Sequence, residues 1–244
     1  MGELIAFLSG KGGTGKTSIC AGIATALAAS GESVLCIDCD IGLRNLDIAL
    51  AMTNHAALSF KEVYADCADV DIATTHPQYP NLRFLTAPVN CTAGEIDMAA
   101  FGAFLRQART KYNFIFLDAP AGVETGFKLA ATYADRVIVV TVTDPASIRD
   151  AERTGELLDL MGKKNVRLIV NRINEKLYKA GKFTVDDVID QTRLQLLGIV
   201  PEDTNVVLAA AFEKPLIQYT KRGAAAACQR IAKRILGYHV PVTI

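Results

Sequence analysis

Directly after the apolar run Leu4-Ile5-Ala6-Phe7-Leu8, residues 9 to 18 read Ser-Gly-Lys-Gly-Gly-Thr-Gly-Lys-Thr-Ser. Gly10, a four-residue spacer, then Gly15, Lys16 and Thr17 satisfy the spacing of a phosphate-binding loop. In such a loop glycines let successive backbone N–H groups turn onto phosphate oxygens with no Cβ in the way. The helix that follows starts with its positive dipole end aimed at the same anion. The segment therefore constrains fold and chemistry together: a strand must deliver the loop, an amphipathic helix must leave it, and a nucleotide is the ligand it fits. Gly10, Lys11, Gly12, Gly13, Thr14, Gly15, Lys16, Thr17 and Ser18 are the candidate phosphate-binding residues.

Apolar runs alternate with helical patterns along the rest of the chain. Strands are expected at 4–8, 34–38, 82–86, 114–118, 137–142, 167–171 and 197–200, and helices near 16–30, 97–111, 124–133, 146–161, 184–193 and 223–236. Most of the strand candidates are apolar almost throughout, the pattern of a parallel sheet covered on both faces. The reading is a doubly wound α/β fold, a mostly parallel sheet of about seven to eight strands with helices on both faces, binding its ligand beyond the carboxyl ends of the strands. No internal repeat, low-complexity stretch or linker divides residues 1–244, so one domain is expected.

Carboxylates stand where a phosphate site needs them. Asp38 and Asp40 follow the second strand and Asp118 closes the run Phe114-Ile115-Phe116-Leu117. A carboxylate at a strand's carboxyl end beside a phosphate loop is placed to serve Mg²⁺, which keeps several waters and takes one or two protein ligands. Thr17 supplies a direct oxygen in that scheme. The expected metal residues are Thr17, Asp38 and Asp118.

The 244 residues, half of them apolar, can bury one core without disulfide or metal staples. Lys plus Arg and Asp plus Glu both number 26, so no global charge recruits nucleic acid or an anionic surface. No run of 18 apolar residues and no cationic leader is present, and a cytoplasmic protein is expected. The six cysteines, at 20, 36, 39, 67, 91 and 228, are then expected to be reduced. Cys36 and Cys39 spell C-x-x-C, but a strand's period of two sends them to opposite faces, against a redox or metal role.

Lys11 lies five residues before Lys16, flanked by Gly10 and Gly12, and in this the loop resembles the deviant phosphate loop of the MinD/ParA family. The resemblance extends to Asp38-Cys39-Asp40-Ile41-Gly42-Leu43-Arg44-Asn45-Leu46-Asp47, similar to the switch I of the MinD branch, and to Leu117-Asp118-Ala119-Pro120-Ala121-Gly122, similar to its switch II. It continues at Asn171-Arg172 and Pro201-Glu202-Asp203, where the family grips adenine, and spans about residues 3 to 237. It implies an ATPase with ATP and Mg²⁺ as cofactors, Asp40 orienting the attacking water, Asp38 and Asp118 serving the metal, and Lys16 neutralising charge on the phosphoryl group. Lys11 would do the same from the opposite subunit of an ATP-bound homodimer. Hydrolysis would then be slow and dimer-dependent. The implied role is a nucleotide-switched regulator of division-site placement, partnered by a division inhibitor or an ATPase-activating topological factor.

Two features depart from the family pattern. Ala146, in Asp144-Pro145-Ala146, stands where the family often has a glutamate that touches nucleotide. MinD proteins usually end in a cationic amphipathic helix, whereas here Ala224, Ala227, Cys228, Ile231 and Ile235 mark a core-packed helix followed only by residues 238–244. Membrane binding is therefore expected to be weak or through a partner, at most peripheral at the inner face of the membrane. A MinD-like ATPase positioning a flagellum, pilus or other polar structure stays open, as does a ParA-type partitioning ATPase, although balanced charge makes nucleic acid an unfavoured partner. A relative of the nitrogenase iron protein would need a second cysteine soon after Asp118, and none follows before Cys228.

Overall fold

In the computed structural model, which describes residues 1–65, 70–89, 91–179 and 184–243, the apolar runs form strands and the segments between them helices. In chain order the elements are β1 (Glu3–Leu8), α1 (Lys16–Ala29), β2 (Val34–Asp38), α2 (Leu46–Ala49), α3 (Phe60–Ala65), β3 (Thr74–Thr75), β4 (Leu82–Leu85), α4 (Met98–Ala108), β5 (Phe114–Asp118) and α5 (Thr125–Tyr133). They continue with β6 (Arg136–Thr141), α6 (Pro145–Leu160), β7 (Val166–Ile173), α7 (Glu175–Lys179), α8 (Val185–Thr192), β8 (Gln195–Pro201), α9 (Asn205–Ala211), α10 (Leu216–Tyr219) and α11 (Gly223–Ile235). Among the described residues the strands form one sheet in the order β3-β4-β2-β5-β1-β6-β7-β8. Every pairing is parallel except that of β3 with β4. The expected doubly wound, mostly parallel α/β sheet is thus present.

The period of two along each strand separates two cores. Ile5 and Phe7 of β1 face one layer, and Leu4, Ala6 and Leu8 face the other. Cys36 falls in the first layer and Cys39 in the second, as the alternation requires. Cys20, Cys36, Cys39, Cys91 and Cys228 are free thiols, and Cys67 lies outside the described residues. Burial pushes the Cys36 thiol up, and that of Cys228 to about 12, which keeps both protonated and inert.

One expectation needs correction. The helix leaving the phosphate loop is not amphipathic: α1 is buried without a break from Ile19 to Ala28. The sheet covers one side and α11 the other. Gly22 permits the approach, since a Cβ there would stand 2.7 Å from Cys228 Sγ. The expected apolar stripe of α11 is real and points inward: Ala224, Ala227, Cys228, Ile231 and Ile235 are all buried. Beyond α11 the chain folds back, with Arg234 donating to the carbonyls of Val240 (2.9 Å), Pro241 (2.6 Å) and Leu197 (2.9 Å), and Arg230 to that of Thr243 (2.8 Å). Ile244 lies outside the described residues. No described helix is long and apolar enough to cross a membrane.

Candidate functional site

β1 sits in the middle of the sheet and ends at Leu8, so the loop from Ser9 to Gly15 rises from the centre of the carboxyl edge. Gly13 and Gly15 have φ values of +82° and +81°, in the left-handed region that favours glycine. A Cβ on Gly15 would also meet Asn171 Nδ2 at 2.4 Å. That amide donates to the Thr14 carbonyl at 2.8 Å, and Arg172 Nη1 to the Gly13 carbonyl at 3.4 Å. Drawing these carbonyls toward β7 leaves the opposite edges of the same peptides, their N–H groups, for an anion. A Cβ on Gly12 would make an ordinary contact with Ala121 Cβ at 3.9 Å.

Beside the loop the carboxylates converge. Asp38 and Asp118 are directly opposite each other in the parallel pairing of β2 with β5, and both are 1% exposed. Lys16 Nζ bonds Asp118 Oδ1 at 2.6 Å and Thr17 Oγ1 donates to Asp118 Oδ2 at 2.7 Å. Asp38 Oδ1 accepts from the N–H of Asp40 at 2.9 Å, and its Oδ2 from those of Asn45 and Leu46, both at 3.2 Å. Burial, then the neighbouring Asp118, raises Asp38 to about 7 against the pull of those donors. Two carboxylates under one buried ammonium leave an excess of negative charge that a cation would balance. The donors are hard oxygens, and no group of three or more His, Cys, Asp or Glu side chains stands ready to cage a metal among the described residues. That set fits Mg²⁺, which binds through few protein ligands, its waters and substrate phosphates.

Asp40 is half-buried at the start of the segment leading into α2, and burial raises its carboxyl, with Lys16 pulling the other way. No hydrogen bond engages that carboxylate among the described residues, so it stands beside the cluster without belonging to it. Lys11 turns away from Lys16. Its Nζ lies 3.2 Å from Asp144 Oδ1, with the lysine side chain 41% exposed. Asp144 also caps α6 by accepting from the Ser147 N–H at 3.1 Å and hydroxyl at 2.6 Å, and these bonds with Lys11 pull its carboxyl down to about 2.

On the other side of the loop a cavity of about 430 Å³ opens between β7, β8 and α9. Gly13, Gly15, Ser18, Asn171, Arg172, Pro201, Glu202 and Asp203 all line it, so the structure brings the two expected base-binding segments together. Ile19, Val200, Thr204, Val206, Val207, Leu216 and Ala224 complete a mainly apolar wall suited to a flat base. Sequence reasoning missed these seven: Ile19 and Ala224 lie in helices and Val200 in a strand read as core, and the rest follow the Pro-Glu-Asp turn with no signal of their own. Arg172, at φ +54°, bridges the Gly13 carbonyl and Glu202, with Nη2 3.2 Å from Oε1. Asp203 has a structural duty as well: Oδ1 accepts from Asn205 at 2.9 Å and Oδ2 from the Ala224 N–H at 3.0 Å, joining α9 to α11. No residue of the Asp144-Pro145-Ala146 turn lines this cavity.

Comparison with known proteins agrees with this geometry. The family model described as the CobQ/CobB/MinD/ParA nucleotide binding domain matches residues 5–216. The septum site-determining protein MinD of Synechocystis sp. is 34% identical over 244 residues, covering 99% of this chain and 92% of that one. Among solved structures, the MinC:MinD cell division protein complex of Aquifex aeolicus superposes with a TM-score of 0.91 at 34% identity, over 99% of this chain and 98% of that one. The septum site-determining protein MinD of Pyrococcus horikoshii, complexed with Mg-ADP, gives 0.83 at 25% identity over 96% of each.

Proposed function

The chain belongs to the CobQ/CobB/MinD/ParA nucleotide-binding family, on its MinD side, and from that membership we propose that it is an ATPase whose ATP-bound form dimerises to regulate placement of the division septum. The observation that carries this reading is the Lys16–Asp118–Thr17 cluster with Asp38 beside it, at the mouth of a glycine loop continuous with an apolar base cavity. Titration of the wild-type protein with ATP and Mg²⁺ should show binding that Lys16→Ala abolishes, and no binding to wild type would end the reading.

In this account the loop N–H groups and Lys16 hold the phosphates, and the wall from Asn171 to Asp203 holds the base. Thr17 would supply a direct oxygen to Mg²⁺, and Asp38 and Asp118 would serve it through its water shell. Bound Mg²⁺ would supply positive charge to the phosphate oxygens as charge develops on the transferred group. Asp40, close to the cluster and unengaged, orients the attacking water, so Asp40→Ala slows hydrolysis and leaves ATP bound. Lys11 pairs with Asp144 and not with the Asp118 cluster, on a side chain 41% exposed, which supports its delivery to a second subunit. A MinD relative in complex with MinC supports a division inhibitor as partner. The inward face of α11 and its folded-back tail leave no apolar helix face for a lipid surface there, which supports a cytoplasmic protein that reaches membranes through another protein.

A further inference from the structure

Just past α9, Glu213 has φ +51°, a left-handed conformation that a residue with a Cβ adopts only under constraint. Its carboxylate accepts from Asn54 Nδ2 at 2.9 Å and from Thr53 Oγ1 at 3.4 Å. Those two residues follow α2 through Ala51, which is also left-handed at φ +58°, and the Met52 N–H binds the turn back to the Asp47 carbonyl at 2.8 Å. A cavity of about 170 Å³ lies between the two helices, lined by Ile48 and Ala49 of α2, Ala209 and Ala210 of α9, and Thr17 and Ser18 of α1. The segment from Asn45 to Asn54 is therefore held at both ends. Its first N–H groups, of Asn45 and Leu46, grip Asp38, and its last side chain grips Glu213.

We propose that Glu213 is a positioning residue for the metal end of the site: by anchoring the far end of the segment whose near end holds Asp38, it keeps that carboxylate placed for the ATP-bound cation. This rests on the ATPase reading above. Leu46, Leu50 and Met52 stay buried in the core and the Leu50 carbonyl stays bonded to His76 Nε2 at 2.9 Å, so loss of the anchor allows only a small shift toward the cavity, enough to lengthen the bonds of Asn45 and Leu46 to Asp38. The phosphate loop and base wall share no hydrogen bond with Glu213 and stay as they are.

The test separates positioning from folding. Glu213→Gly removes the carboxylate and relieves the left-handed backbone, so its thermal midpoint should equal or exceed that of wild type. The Mg²⁺ concentration giving half-maximal hydrolysis, and that giving half-maximal tightening of ATP binding in calorimetry, should both rise about threefold to tenfold, the effect of one ordinary hydrogen bond at the surface. ATP affinity measured in EDTA should not change. Asn54→Ala should reproduce the shift, while Glu213→Gln, which keeps an oxygen for Asn54, should restore the wild-type Mg²⁺ requirement. An unshifted requirement in Glu213→Gly and Asn54→Ala overturns the inference, as does an equal loss of ATP affinity in EDTA. If wild type itself binds no ATP, the function proposed above fails, and this inference with it.

Discussion

Replacing Lys16 by methionine tests the electrostatics of the site with no nucleotide present. The Lys16–Asp118 pair is 2.6 Å apart with side chains 7% and 1% exposed, and Asp38 lies directly beside Asp118. Methionine keeps the aliphatic stem and removes the ammonium, stranding a buried carboxylate next to another. Breaking a buried pair in this way costs about 3–5 kcal/mol. The Thr17 hydroxyl still donates to Asp118 at 2.7 Å, which places the expected loss near the lower end, about 3 kcal/mol. For a chain of this size that is a drop of roughly 6–12 °C in thermal midpoint. Lys11→Met is the internal control. Its pair with Asp144 is 41% and 46% exposed, and its loss should change stability by no more than about 0.5 kcal/mol. Urea unfolding in EDTA, without nucleotide, measures both. Adding Asp118→Asn to Lys16→Met should return most of the loss by neutralising the stranded charge. A Lys16→Met protein within about 1 kcal/mol of wild type, or no different from Lys11→Met, would refute the reasoning.

Two further outcomes follow from neighbouring groups. Asp38 is raised from 3.8 to about 7 in the folded chain, so its contribution to metal-free stability is complete below about 3.8 and lost as pH rises through about 7. The stability of wild type relative to Asp38→Ala should therefore fall between pH 5 and pH 8, by up to a few kcal/mol, and a constant difference in urea midpoints would contradict it. Asp144→Ala removes the cap of the 16-residue α6 and should cost about 1 kcal/mol, whereas Asp144→Asn keeps a capping oxygen and should stay close to wild type. Equal losses in the two variants, measured by thermal unfolding, would show that the negative charge of Asp144 and not its capping oxygen supplies the stability.

The central strands were legible because parallel strands buried on both faces must be apolar throughout, and 4–8, 34–38 and 114–118 stand out for that reason. The same double burial hid the character of α1. Its run of Ile, Ala, Cys and Leu fits a helix covered on two sides as well as an amphipathic one, and only the return of α11 decides between them. The short pieces α2, α3, α9 and α10 and the two-residue β3 carry too few residues for a period to show. At the site, the sequence supplied residue types but not who faces whom. Lys16 and Asp118 are far apart along the chain, and it is the register of β5 beside β1 and β2 that sets one over the other. Asp203 shows the converse: a residue expected at the base wall does line it, yet both its oxygens hold helix ends together.

The alignment of Asp38 with Asp118 also bears on how a newly made chain becomes active. These residues are eighty positions apart, and β2 and β5 meet only after the segment between them has been synthesised and looped out. A slip of one residue between the strands would move one carboxylate by about 3.3 Å and turn it toward the opposite layer. On the function proposed above, only a chain paired in the right frame could hold the cation with its nucleotide, and ligand at a hundred times its dissociation constant would favour that chain by about 2.7 kcal/mol. Cellular ATP would then act as an inspector of assembly, retaining finished sheets and leaving misaligned ones to unfold and try again.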